Sequence, residues 1–228
     1  MGQDRQLRGI IVAIDGTSAS GKTTLARKLA AVFHCRYLLT GNLYRVLAKK
    51  LLEKQGIDQM SPEFVRIVAE CVDRIVEQDL EDSTLGSDEV SLHASMIATN
   101  KMVREKLNFF QREWIKKQKD GAVVEGRDIG TVIWPQAEVK IFVTASIETR
   151  ARRRFDELKL QNSSNSSFES VLEDLRARDR RDTEREFAPL SIASDASVLD
   201  SSNISADEIM NQALKIIEKR IDIHTDKV

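Results

Sequence analysis

"DGTSASGKTT", residues 15–24, follows directly on the apolar run Ile10-Ile11-Val12-Ala13-Ile14. Its ten positions hold two glycines, two serines, three threonines and one lysine. A buried strand that exits through small residues leaves its backbone N–H groups open to a ligand. Gly16, Gly21, Lys22 and Thr23 satisfy the spacing G-x-x-x-x-G-K-[ST]. After Gly21, Leu25, Leu29, Ala30, Val32 and Phe33 recur at helical spacing. The order is therefore strand, small-residue loop, helix, which is a phosphate cradle. Gly16, Thr17, Ser18, Ala19, Ser20, Gly21, Lys22, Thr23 and Thr24 are expected to ring a triphosphate with backbone donors and the positive end of the helix. Lys22 is expected to reach the outer phosphates, and the Thr23 hydroxyl to help hold Mg²⁺.

Working outward, short apolar runs alternate with helical patterns. Residues 9–14, "AVVEG" (122–126) and "VKIFVTA" (139–145) read as buried strands, and "SVLD" (197–200) as a short last one. Helices are expected at 41–54, at 62–78 with Pro62 at its start, and over 88–118 with a break near Asn100. Others are expected at 147–160, 168–186 and 205–221. "EDSTLGSD" (81–88) reads as a loop and "QNSSNSSF" (161–168) as a flexible low-complexity patch. This alternation predicts an α/β fold with a parallel sheet core flanked by helices.

Composition narrows the function classes. The chain has 228 residues, enough for one domain with a substantial core. Its 35 basic and 36 acidic side chains leave a net charge of -1, which argues against nucleic acid as a partner. No stretch of about 20 apolar residues predicts a membrane span. The opening "MGQDRQLRG" lacks the apolar centre of a secretory signal, and Gly2 is a poor match to a myristoylation site. Cys35 and Cys71 lack metal-like spacing and read as free thiols of a reducing compartment. A cytoplasmic monomer is expected. Trp114 and Trp134 read as packing residues.

Three basic clusters ask what receives the phosphoryl group. "GNLYR" places Tyr44 and Arg45 early in a helix. "EGRDIG" (125–130) brings Arg127 and Asp128 out at the carboxyl end of a strand, the edge where open α/β sheets bind ligands. In "RARDRRDTER" (176–185), Arg178, Asp182 and Arg185 share one helix face. Such a run is commonly a solvated, ion-paired helix. Beside a phosphate cradle it also suits phosphoryl transfer, which needs two anions held in line and the migrating charge neutralised.

"IDGTSASGKTT", "LLTGNLYR", "VREKL", "EGRDIGTVIWPQAEVKIFVTAS", "RARRR" and "RDRRDTEREFAPL" resemble the bacterial cytidylate kinases, in that order, from about residue 9 to residue 221. The resemblance implies a nucleoside-monophosphate kinase fold of the P-loop class: one domain over residues 1–228, a helical monophosphate-binding part at about 40–118, and a lid at about 160–188. It implies transfer of the γ-phosphoryl of ATP to CMP or dCMP. Lys22, Arg127 and Arg185 would be catalytic. Tyr44, Arg45, Arg127 and Arg185 would surround the acceptor phosphate, Thr40 would belong to the substrate-binding set, Ser95, Arg104 and Asp128 would read cytosine, and Arg178 and Asp182 would reach the ribose. A carboxylate suits that base site on chemical grounds, because cytosine offers an amino donor where uracil offers a carbonyl acceptor.

The sequence departs from the family pattern in places. Leu39 and Thr40 stand where an aspartate and a serine are usual, and Glu125 where many relatives have aspartate. The region 79–90 is shorter than the strand-containing insert of bacterial relatives, with Gly86 where an arginine is common, so a reduced monophosphate-binding part is expected. A kinase of another monophosphate or small metabolite on the same core is the nearest alternative. A guanine-reading switch is disfavoured, since Asn100-Lys101 is followed by Met102-Val103 and completes no N-K-x-D motif.

Overall fold

The computed structural model describes residues 6–7, 9–54, 61–160 and 167–225. In chain order its elements are β1 (Ile11–Gly16), α1 (Lys22–Val32), β2 (Arg36–Leu39), α2 (Thr40–Leu52), α3 (Pro62–Asp73), α4 (Asp88–Ile97), α5 (Lys101–Lys116), β3 (Ala122–Glu125), β4 (Val139–Thr144), α6 (Ile147–Leu160), α7 (Phe168–Glu184), β5 (Ser197–Asp200) and α8 (Ala206–Thr225). The strands form one sheet in the order β2-β3-β1-β4-β5, with every pairing parallel. All six residues of β1 and all four of β3 are buried, as two-sided helix cover requires.

Register sets the site. Ile14 pairs with Glu125, and Gly16 with Val143, so β1, β3 and β4 end along one edge. The phosphate loop and the Gly126–Asp128 turn therefore leave the sheet side by side. Gly16 has φ +143°, and a Cβ there would fall 1.9 Å from the Val143 carbonyl oxygen. Only glycine lets β1 pass β4 so closely.

Two apolar cores sandwich the sheet. Leu43, Leu47, Phe64, Ile67, Val103 and Leu107 fill one face, and Leu25, Leu29, Phe33, Ala213 and Ile217 the other. Trp114 and Trp134 pack against the first, as expected of packing residues. A third cluster, Ala151, Leu158, Val171 and Leu175, joins α6 to α7 away from the sheet.

Local capping explains most boundaries. The Ser61 hydroxyl accepts from the Phe64 N–H at 3.1 Å, with Pro62 opening α3. The Asn100 side chain accepts from the Met102 and Val103 N–H groups, which divides α4 from α5 at the expected place.

Some expectations shift. The first strand begins at Ile11 and runs through Gly16, two residues later than the apolar run suggests. β2 has no counterpart in the sequence reading; it is a four-residue edge strand with only Leu38 and Leu39 buried. The helix expected over 62–78 ends at Asp73; a 3₁₀ turn follows at Glu77–Glu81, and a second, Ser83–Gly86, falls within the stretch 81–88 expected to be a loop. The last helix runs on to Thr225. Of the patch expected to be flexible, 161–168, residues 161–166 lie outside the described residues, while Ser167 caps α7 and Phe168 opens it.

Candidate active site

The sheet's carboxyl edge opens into a cavity of about 1180 Å³, large enough for two nucleotides. Ser18, Ala19, Ser20, Gly21, Lys22, Thr23 and Thr24 line one side, Gly41, Arg45, Leu85, Ser91 and Ser95 another, and Arg154, Arg178 and Arg181 a third. Gly21 opens α1 with φ 92°, and Ala19 takes φ 58°, so the loop curls back on itself between Gly16 and the helix.

Lys22 is 4 % exposed; its Nζ donates to the Thr17 carbonyl at 2.5 Å and lies 3.6 Å from Glu125 Oε1. Burial, with Arg127 beside it, pulls its ammonium pKa down to about 7. The Thr23 hydroxyl donates to Glu125 Oε2 at 3.5 Å. Glu125 thus faces both the lysine and the threonine of the loop. A hydroxyl and a carboxylate at the mouth of a phosphate loop form a hard-oxygen pair of the kind Mg²⁺ takes when phosphates supply its other ligands. Thr23 and Glu125 therefore fit that ion.

A second cluster sits around Asp128. Arg104 Nη2 donates to Asp128 Oδ2 at 2.5 Å, and Arg185 Nη2 lies 3.6 Å from Oδ1. All three residues are buried. The Arg104 guanidinium also stands over the Tyr44 ring at 5.8 Å. Burial raises the Tyr44 phenol to about 12, so it is a neutral donor. Arg185 donates through Nε to the Ala188 carbonyl at 2.6 Å, which fixes the guanidinium from behind. Burial and the neighbouring Arg104 lower its pKa.

Arg127 joins the two clusters. Its Nε donates to Asp182 Oδ2 at 2.9 Å, and its Nη1 lies 3.7 Å from Glu125 Oε1. Burial opposes its charge, but Asp182 and Glu125 outweigh that and raise its pKa. Arg178 lies deep in the same wall. Burial first, then Arg127, pull it down to about 10, and its Nε has no hydrogen-bond partner among the described residues. The Arg45 pKa is lowered by burial and by the like charge of Arg154.

Of the candidate site residues, Ser18 to Thr24, Arg45, Ser95, Arg127 and Arg178 line the cavity, while Tyr44, Arg104, Asp128 and Arg185 form a contact chain and Asp182 pairs with Arg127. Thr40 differs in its contacts: its hydroxyl donates to the Glu125 carbonyl at 2.9 Å and ties α2 to β3. Ser95 accepts from Arg181 Nε at 3.1 Å. Sequence reasoning missed several participants. Arg150 forks onto Asp179 at 3.1 and 2.7 Å and donates to the Ser18 carbonyl at 3.3 Å, linking the α6–α7 pair to the phosphate loop. Arg153 grips Ser201, whose hydroxyl donates to the Ser20 carbonyl at 3.0 Å. Nothing in "RARRR" separates the buried Arg150 and the half-buried Arg153 from solvated arginines.

The profile of the family described as Cytidylate kinase matches residues 12–219. The chain belongs to the cytidylate kinase family. A cytidylate kinase from Acidiphilium cryptum is 44 % identical over 212 residues, covering 93 % of this chain and 97 % of that one. One from Cereibacter sphaeroides is 46 % identical over 209 residues, with 92 % and 95 % covered. Family membership makes the chain an ATP-dependent phosphotransferase acting on small nucleotide substrates. Among solved structures, an uncharacterized protein from Eubacterium ventriosum reaches a TM-score of 0.53 at 16 % identity, over 92 % of this chain and 98 % of that one. A gluconokinase from Sinorhizobium meliloti reaches 0.50 at 14 %, over 98 % and 99 %. These two likenesses concern the fold alone. Among the described residues no helix is long and apolar enough to cross a membrane.

Proposed function

We propose that this cavity carries out the reaction of the cytidylate kinase family, transfer of the γ-phosphoryl group of ATP to CMP or dCMP, giving ADP and CDP or dCDP. One observation carries the reading: a complete phosphate loop and a buried Arg104–Asp128–Arg185 cluster, joined by Arg127 at a single sheet edge. The loop 16–24 holds the ATP phosphates. Asp128 accepts from the cytosine amino group, with Arg104 and Ser95 completing the base site. Tyr44, Arg45, Arg127 and Arg185 hold the acceptor phosphate, and Thr40 belongs to the same substrate-binding wall. Arg178 and Asp182 reach the ribose.

Phosphoryl transfer on this layout needs no general base, because the acceptor phosphate is already anionic. Lys22, Arg127 and Arg185 neutralise the charge that spreads over the migrating group. Thr23 and Glu125 would hold Mg²⁺, which would supply further neutralisation of the phosphate charge. The α6–α7 pair carries its own apolar cluster and meets the phosphate loop through Arg150, which supports its role as the lid over about 160–188. Its closure excludes water and suppresses futile hydrolysis.

The helical part at about 40–118 is the monophosphate-binding part, reduced by its short 79–90 region. In this reading residues 1–228 form one domain acting as a monomer in the cytoplasm, with neither nucleic acid nor membrane as partner; the net charge of -1 supports that. Lys22→Ala is the test. CDP formation from CMP and ATP, followed by chromatography, is expected to fall by at least a hundredfold while the thermal melt stays intact. Near-normal turnover would sink the reading.

A further inference from the structure

Asp15 opens the phosphate-loop stretch, yet the site as described leaves it without a role. Its carboxylate is buried. Its Oδ1 accepts from the Ile129 N–H at 2.8 Å, and its Oδ2 accepts from the Gly130 N–H at 2.7 Å. These are the first two donors of the π-helical turn Ile129–Ile133. Such donors at the start of a helical turn have no partner within it, and a carboxylate that takes both forms a charge-assisted fork. The turn begins at the residue after Asp128, which has φ -144° and ψ 27° and no side-chain cap of its own.

We infer that Asp15 is a positioning residue for acceptor recognition: it pins the turn that carries Arg127 and Asp128 to the strand end from which the phosphate loop departs. The inference rests on the proposed base-reading role of Asp128. One carboxylate thereby fixes the distance between the donor and acceptor halves of the site, without touching either nucleotide. An amide cannot replace it. Asparagine offers one acceptor oxygen, and its NH₂ group would face a backbone N–H head-on. The turn must then shift, and Asp128 and Arg127 shift with it, while the phosphate loop keeps its own backbone.

The experiment is steady-state kinetics of Asp15→Asn against wild type, with CMP and ATP varied separately and UMP as the competing acceptor. Expected are a rise of about tenfold or more in KM for CMP, a fall in the CMP-over-UMP ratio of kcat/KM, and a KM for ATP within twofold of wild type. A merely structural role would lower kcat through loss of folded enzyme and leave both KM values alone. That outcome, or a parallel rise in both KM values, overturns the inference.

Asp15→Glu decides the matter if the asparagine variant does not fold: it keeps the charge, but its longer stem displaces both acceptor oxygens from the Ile129 and Gly130 N–H groups. A rise in KM for CMP alone, of about threefold, is expected, and an unchanged KM for CMP counts against the inference. Failure of the underlying functional reading is seen separately, as a wild-type enzyme that does not prefer CMP.

Discussion

Asp128→Asn removes one negative charge and changes no shape, and its consequences follow from the contacts. In the free protein Asp128 is the counter-ion of Arg104 at 2.5 Å and of Arg185 at 3.6 Å, in a site where none of the three is more than 8 % exposed. Breaking a buried pair by removing one partner costs about 3–5 kcal/mol, because the remaining charge stays desolvated. Arg185 Nη2 already lacks a hydrogen bond among the described residues, so relaxation offers it little. For a chain of this size each kcal/mol lowers the melting temperature by about 2–4 °C, so a drop of about 6–20 °C is expected by differential scanning fluorimetry.

The catalytic consequence has a different size. A hydrogen bond from the cytosine amino group to a carboxylate contributes about 1.5–3 kcal/mol more to CMP than to a nucleotide that lacks the donor. The CMP-over-UMP ratio of kcat/KM should therefore fall by about 10- to 150-fold, since 1.4 kcal/mol is a factor of ten. An unchanged ratio with a lowered melting temperature would mean that Asp128 is structural and does not read the base. An unchanged melting temperature would refute the electrostatic account of the cluster.

Two other outcomes follow from the same geometry. Gly16→Ala would put a Cβ 1.9 Å from the Val143 carbonyl oxygen at φ +143°, so β1 and β4 must part. A destabilisation of about 3–5 kcal/mol, the sum of overpacking and backbone strain, should appear in urea unfolding together with loss of ATP binding. Lys22, with its pKa pulled to about 7 by burial and Arg127, is partly neutral just above neutrality. The triphosphate's negative charge favours the ammonium, so ATP binding at pH 8 should take up a proton at Lys22. Calorimetry in two buffers of different ionisation enthalpy should show this uptake shrinking toward pH 6, where the lysine is already charged.

How far the sequence carried the reading depended on whether a signal was local. The phosphate loop was legible because its chemistry demands small residues, one lysine and one hydroxyl at fixed spacing. β1, β3 and β4 were legible because strands buried on both faces are continuously apolar. β2 escaped because an edge strand of four residues, two of them exposed, has neither alternation nor an apolar run. The π-helical turn after Asp128 escaped as well, because it is held by Asp15, 114 positions away, and no local pattern encodes that bond. The arginines show the same divide. "RARRR" carries no local sign of burial, yet Arg150 is 5 % exposed and forked onto Asp179, because α7 folds back over α6. The roles of Ser95 and Arg104 came from the family resemblance alone.

The central claim is that one edge of this sheet joins ATP to a cytidine monophosphate and reads the base. The most direct measurement is ADP release with ATP and Mg²⁺, run side by side on CMP, dCMP, UMP, AMP and no acceptor. The account predicts turnover with CMP and dCMP far above the rest. Stronger turnover with UMP or AMP, or ADP release that is indifferent to acceptor, would contradict it.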